Sequence, residues 1–356
     1  MDYENFKESF IEDVKKGLYE RGFEDVKIGT QQTQKMNESY DAVTVKPEDS
    51  MIGVNFNAEK AFENYQAGTE MDEVVNHAAD AVEKAFREAP QIDVAAITDY
   101  EQMKSKLSME VVSADRNADL LQNVPHEKLE DMAVVYRLLL DQTDEGNGTV
   151  LVTDQLMDRF GITQEQLRND ALLNAPEIRP SEIKGMSEVM NEIAPGMAPE
   201  IAAEDEQMFV ASVPDKIRGA GVIAYPNFME DAAEKMGGDF FVLPSSIHEV
   251  LLVRDNGTMT SKELENMVKE VNATQVEPKD RFTDHVYHYD SKNHIFEMAD
   301  KFEQRQQEEE HKASAEDPEK GSVLDDLKEK KQEVAKKEPA KDVAEKAAHK
   351  GKEASL

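Results

Sequence analysis

The chain has 356 residues, with 41 basic and 75 acidic side chains, a net charge of −34 at pH 7 and 39% hydrophobic residues. That hydrophobic share can build a core, and the length suggests two or three domain-sized units, with one large α+β unit also allowed. The charge disfavours direct binding of nucleic-acid phosphate or anionic lipid, and the lack of cysteine excludes disulfides, thiolate catalysis and zinc fingers.

The chain starts Met1-Asp2-Tyr3-Glu4-Asn5-Phe6, acidic and amphipathic rather than basic and then apolar. Apolar runs such as Val250–Val253 fall far short of a membrane span, so no membrane association and a cytoplasmic location are expected. Tyr3, Phe6, Phe10, Val14 and Leu18 share one helical stripe, with Gly22 as a C-terminal stop. The period then changes to two. Val26, Ile28 and Thr30, then Val43 and Val45, then Ile52, Val54 and Phe56 alternate with polar residues around turns at Met36–Glu38 and Pro47–Ser50, which predicts a three-stranded antiparallel meander. Helical spacing returns over Met71–Phe86, where Val74, Val75, Ala78, Val82, Ala85 and Phe86 share a face.

Leu107–Val112 reads as a strand and Ala118–Leu121 as a short helix. Met132–Leu140 reads as a buried strand, turning at Asp144–Gly148 into a second strand, Thr149–Val152. A helix over Asp154–Phe160 stops at Gly161, and Thr163 with Gln166 has capping-box spacing for the next helix, with Leu167, Ala171 and Leu172 inward. Ser181–Glu192 reads as a third helix and Ala194–Ala203 as a loop. Met208–Val213 and Gly221–Ala224 read as strands. Phe228–Met236 reads as a helix closed by Gly237-Gly238. Strands Phe240–Leu243 and Ile247–Val253 are expected to join at Pro244-Ser245-Ser246, followed by a turn at Asp255–Gly257. A capped helix from Thr260 with Glu263 then carries an apolar stripe of Leu264, Met267, Val268 and Val271. His285–Tyr289 and His294–Phe296 read as a closing hairpin around Asp290–Asn293.

After Met298 charged residues dominate, and disorder or a solvated helix of coiled-coil character is expected. Residues 301–356 carry 13 basic and 15 acidic side chains, leaving 28 and 60 in residues 1–300, so the folded body is the anion. The expected fold class is α+β, with mixed or antiparallel sheets and packed helices. The expected organisation is an N-terminal α+β subdomain over 1–110, a C-terminal α+β subdomain over 125–298 and the charged tail over 299–356.

Five blocks stand out: Val134-Val135-Tyr136-Arg137, Thr153-Asp154-Gln155-Leu156, Gly219–Pro226, Leu243-Pro244-Ser245-Ser246-Ile247-His248-Glu249-Val250 and Met267–Asn272. Together they resemble an uncharacterised bacterial protein family, a domain of unknown function common in anaerobic gut bacteria, in a likeness spanning about residues 1–297. The resemblance implies a bacterial cytoplasmic origin and brings no activity with it.

The Pro244–Glu249 block is the first candidate site. On a strand over 246–252, Ser246 and His248 share a face and Glu249 points away, so a serine–histidine pair is conceivable as nucleophile and base. No G-x-S-x-G elbow accompanies it, and no orienting acid or oxyanion donor can be placed. The alternatives are a binding role for Ser245, Ser246, His248 and Asn272, with Tyr225 as a further neighbour, or hydroxyls that satisfy backbone groups around a structural histidine. His285, His288 and His294, with Asp284 and Asp290 nearby, raise a metal site. Residues three apart face opposite sides of a strand, so no metal is expected. Gly219-Ala220-Gly221-Val222-Ile223-Ala224 matches a loose G-x-G-x-x-A, yet it runs into an apolar segment, where glycines for a tight approach fit better than a dinucleotide fingerprint. No cofactor is expected.

The reading therefore leans to a non-enzymatic acidic protein that binds a protein with a basic surface. A nucleic-acid mimic and a hydrolase or small-molecule-binding enzyme around Ser245–Glu249 are the alternatives.

Overall fold

A computed structural model describes residues 1–48, 53–88, 97–143, 146–196, 198–199, 201–202 and 204–316. It is α+β, with three antiparallel sheets.

The first sheet is the expected meander. Its strands are β1 (Val26–Lys35), β2 (Glu38–Pro47) and β3 (Val54–Asn57), in spatial order. The β1–β2 register is unbroken from Val26↔Pro47 to Lys35↔Glu38. Ile52 and the Asp49-Ser50 part of the expected turn lie outside the described residues. Helices α1 (Tyr3–Glu20), α2 (Ala58–Gln66) and α3 (Met71–Glu88) cover one face, burying Phe6, Phe10, Val14 and Leu18 against Val43, Val45, Val74, Val75, Ala78 and Val82. Asp2 caps α1 by accepting the Asn5 N–H. Gly22, at φ +89°, ends the helix as the stripe predicts. Its N–H reaches Tyr19 O, and the Phe23 N–H reaches Leu18 O, the paired bonds of a Schellman stop. Helix α2 has no counterpart among the sequence expectations, although Ala58, Ala61, Phe62 and Tyr65 are spaced for a helix behind the Asn57 cap.

A short helix α4 (Tyr100–Met103) leads to β4 (Leu107–Ser113), and α5 (Ala118–Leu121) to β5 (His126–Leu129), β6 (Met132–Thr143) and β7 (Gly146–Leu151). β6 pairs with β4 along one edge and with β5 and β7 along the other. β4 is buried at every position and belongs to this sheet, from Leu107↔Leu138 to Ser113↔Met132. Helix α6 (Asp154–Phe160) ends on Gly161 at φ +67°. α7 (Gln164–Ile178) starts on Thr163, whose hydroxyl accepts the Gln166 N–H, and packs Leu167, Ala171 and Ala175 onto the core.

The third sheet departs from expectation in two places. Ser181–Glu192 is not one helix: Glu182–Gly185 forms β8 and only Met186–Ile193 is helical (α8). β8 is an edge strand on β9 (Met208–Ser212), and this pairing outweighs local helical preference. Gly221–Ala224 is not a strand. Residues Gly219–Ala224 form a buried 3₁₀ turn wedged between β4 and the third sheet, where an apolar run needs burial but has no free edge to pair with.

Helix α9 (Phe228–Met236) stops at Gly237, at φ +78°, as its sequence indicates. The sheet continues with β10 (Phe240–Ser246), β11 (Glu249–Arg254), β12 (Tyr287–Asp290) and β13 (Ile295–Met298), in the spatial order β13-β12-β10-β11-β9-β8. Strand alternation divides two cores. Phe240, Val242, Val250 and Leu252 face the main core shared with the second sheet. Phe241, Leu243 and Val253 face α10 (Ser261–Thr274) and the first residue of α11 (Ala299–Glu316). α10 begins with the expected capping box of Thr260 and Glu263. Its inner line is Leu264, Val268 and Asn272, while Met267 and Val271 are about 40% exposed. The face turned to the sheet is thus narrower than the apolar stripe in the sequence.

The charged region after Met298 opens as helix α11, which is held to the body. Phe302 stacks on His288, and Arg305 bridges Asp290 and Glu297 at 2.9 and 2.7 Å. Burial alone would raise the Asp290 carboxyl. Hydrogen bonds from the Asn293 side chain and amide, together with Arg305, outweigh it and hold the group at about 2. A carboxyl depressed in the folded state stabilises the fold fully above the ordinary aspartate range, and that stability is lost as pH falls from about 4 to about 2. Asp290→Asn is expected to cost about 2 kcal/mol at neutral pH and to flatten this acid limb, as read by urea midpoints across that pH range. No helix among the described residues is long and apolar enough to cross a membrane.

Candidate functional site

The Ser245–Glu249 block folds differently from a strand turning at Pro244–Ser246. β10 continues through Pro244 to Ser246, with a register shift between Leu243 and Ser246. Proline has no N–H for the ladder, and the shift accommodates it. Ser246 then pairs with Glu249, which leaves Ile247-His248 as the two-residue turn. Ser246 and His248 therefore do not share a strand face.

His248 is half-buried and held at both ring nitrogens. Nδ1 accepts the Arg218 backbone N–H at 3.2 Å, and Nε2 lies 3.3 Å from Asp280 Oδ1. An amide can only donate, so Nδ1 carries the lone pair and the ring proton sits on Nε2, facing the carboxylate. Neither nitrogen is left to take a proton from Ser246, whose Oγ instead accepts the His248 N–H at 3.1 Å. The His248 carbonyl accepts from Ser212 Oγ at 2.8 Å. Chemically, the arrangement is a clamp joining the 213–218 loop, the 247–248 turn and the 276–281 loop. The clamp is closed by backbone as well: Ile247 N–H reaches Asp280 O and Ala220 N–H reaches Ile247 O.

Behind the clamp lies an ionic cluster that the sequence reading missed. Glu110 on β4 is 1% exposed. Its Oε2 accepts from Arg137 Nε on β6, and its Oε1 lies 3.3 Å from Arg218 Nε. Arg179, also buried, donates from Nη2 to Asp215 Oδ1 at 2.6 Å and to the Ile217 carbonyl, while its Nε has no hydrogen-bond partner among the described residues. Burial lowers the Arg218 guanidinium, with Glu110 opposing that shift. Burial pushes the neighbouring Tyr225 phenol up to about 12. Lys216 and Arg218 both adopt left-handed backbone conformations, φ +54° and +52°, so the loop that carries the cluster is held in a shape non-glycine residues avoid. The sequence signal was present: Glu110 interrupts the apolar run of Met109, Val111 and Val112, and Arg137, of opposite sign, interrupts the apolar run over Met132–Leu140.

The two glycines of the G-x-G-x-x-A stretch serve close approach. A Cβ on Gly219 would lie 2.5 Å from the His248 carbonyl, and one on Gly221 would lie 2.5 Å from the Met109 carbonyl.

The other candidates go elsewhere. Nothing is described of the Ser245 side chain. Asn272 is buried and donates to Thr283 O and Asp284 Oδ1 at 2.9 and 2.7 Å, so its partners are not those of His248. His285 lies 3.5 Å from Glu265, fully buried His288 lies 3.2 Å from Asp255, and His294 lies 3.4 Å from Glu230. Each of the three histidines thus faces different carboxylates, His285 also lying 3.9 Å from Asp131, and no group of three possible metal ligands occurs among the described residues.

The tip of the β1–β2 hairpin docks beside the clamp. Asn37, at φ +61°, donates from Nδ2 to the carbonyls of Lys279 and Arg281 that flank Asp280, and exchanges bonds with Asn117. Three concavities among the described residues have no lining from Arg218, Ser246, His248 or Asp280. One of about 160 Å³ sits at this tip beside Arg116 and Asn117, one of about 400 Å³ lies on the outer face of the first sheet, and one of about 320 Å³ lies beside the end of α1.

A family model described as a family of unknown function (DUF5688) matches residues 3–291. No curated protein and no solved structure matches the chain.

Proposed function

The chain belongs to this family of unknown function, and we propose that it is a non-enzymatic interaction protein whose anionic body engages a partner protein with a basic surface. The carrying observation is the charge of residues 1–300, with 60 acidic against 28 basic side chains. A surface of that sign steers basic partners inward and repels nucleic acid and anionic lipid. A bacterial cytoplasmic setting forms part of the proposal: the bacterial origin rests on the family resemblance, and the cytoplasm on a cysteine-free sequence whose apolar runs are short.

The occupied nitrogens of His248 favour this reading over a hydrolase built on Ser246, His248 and Glu249. A clamp orders loops, whereas a general base needs a free lone pair.

The test is crosslinking with mass spectrometry in lysate of the source bacterium at low and at raised salt. Crosslinks to a basic protein that are lost at raised salt, and that recur when the purified pair is mixed, are the expected result. No salt-sensitive partner under either condition would remove the proposal.

A further inference from the structure

The outer edge of β1 has no strand paired to it among the described residues. It is ten residues long, without proline or bulge, and residues 29–32, 34 and 35 are exposed. Natural sheets usually blunt such an edge with charge, proline, a bulge or a cover. Here the stretch Ile28–Gln34 is uncharged, and the strand's only charges are Lys27 and Lys35. In a body this acidic, the edge is the place where a second acidic copy can approach against least repulsion.

We propose that β1 pairs antiparallel with β1 of a second copy of this chain, about a two-fold axis at Thr30, giving one six-stranded sheet. The backbone supports this centre. The two-residue turn Met36-Asn37 makes Lys35↔Glu38 the closing hydrogen-bonded pair, so alternate residues from Val26 through Thr30 to Gln34 direct their N–H and C=O groups to the free edge. Charge selects the register. Centred on Thr30, exposed Asp25 of each copy stands opposite exposed Lys35 of the other, Lys27 meets Thr33 and Gly29 meets Gln31. Centred on Gln31, Lys27 would oppose Lys35 at both ends, which is unfavourable. The pairing is isologous and closed, so it ends at a dimer.

Sedimentation equilibrium of the full chain from low to high micromolar concentration tests it. Wild type is expected to be a dimer. Asp25→Lys or Lys35→Asp alone should weaken it roughly tenfold, since each change spoils two cross-strand pairs per dimer. The double variant should recover most of the affinity, with far-UV circular dichroism checking that each variant is folded. A monomeric wild type, single variants without effect, or a double variant no tighter than the singles would each overturn the proposal.

Discussion

Glu110→Gln is expected to lower the unfolding free energy by about 3 kcal/mol, the low end of the cost of breaking a buried ion pair by removing one partner. Glu110 is buried on β4 and faces two guanidiniums, Arg137 and Arg218. Glutamine keeps the shape but removes the charge and turns an N–H₂ donor toward groups that only donate. Arg137, 13% exposed, keeps Thr149 Oγ1 at 3.3 Å as a side-chain hydrogen-bond partner among the described residues. Arg218 is 31% exposed and can turn toward water, which is why the low end is expected. A double variant, Glu110→Leu with Arg137→Met, should recover most of the loss, because a well-packed apolar pair avoids burying any charge. Urea unfolding followed by circular dichroism reads both. A Glu110→Gln midpoint close to wild type would mean that water reaches the cluster.

The second large effect is steric. Gly219→Ala is expected to cost about 3 kcal/mol, the upper part of the usual range for overpacking. The added Cβ would lie 2.1 Å from Ser212 Oγ, 2.5 Å from the His248 carbonyl and 2.9 Å from the Val213 nitrogen. Only the first of these neighbours can rotate away; the other two are backbone. Ser212→Ala in the Gly219→Ala background should therefore restore a minor part of the stability. Gly17→Ala is the control. That glycine lies within α1, and its Cβ would meet Ala79 and Val75 at ordinary contact distances of 3.8 and 3.9 Å. It should stabilise by roughly 0.5–1 kcal/mol, as expected for alanine replacing a helical glycine. Equal effects at the two positions would contradict the close approach that positions the His248 turn.

Both variants act on the same few residues, where the 213–219 loop, the His248 turn and β4 meet. Of the residues singled out from sequence, Ser246 and His248 are brought together there, though as hydrogen-bonding anchors. Asn272 is tied to Thr283 and Asp284, and the three hairpin histidines each to different acids. Asp280 and Arg218 complete the clamp from positions 32 and 30 residues away from His248, and no local pattern announces either.

What the sequence by itself determined is the set of features whose causes lie within one turn or one strand. These are the Thr163 and Thr260 caps, the stops at Gly22, Gly161 and Gly237, the period-two meander and the α1 and α3 stripes. It also carried the α+β class and the family likeness. Only the tertiary structure decided the rest, because those outcomes depend on a partner distant in the chain. Glu182–Gly185 is a strand because β9 offers an edge. Gly219–Ala224 is a 3₁₀ turn because two sheets close over it, and Asn272 rather than Val271 continues the buried line of α10 because only the narrow face of Leu264 and Val268 turns to the sheet. Local hydrogen bonding and side-chain periodicity are legible residue by residue, whereas the choice among burial partners is made only when the layers meet.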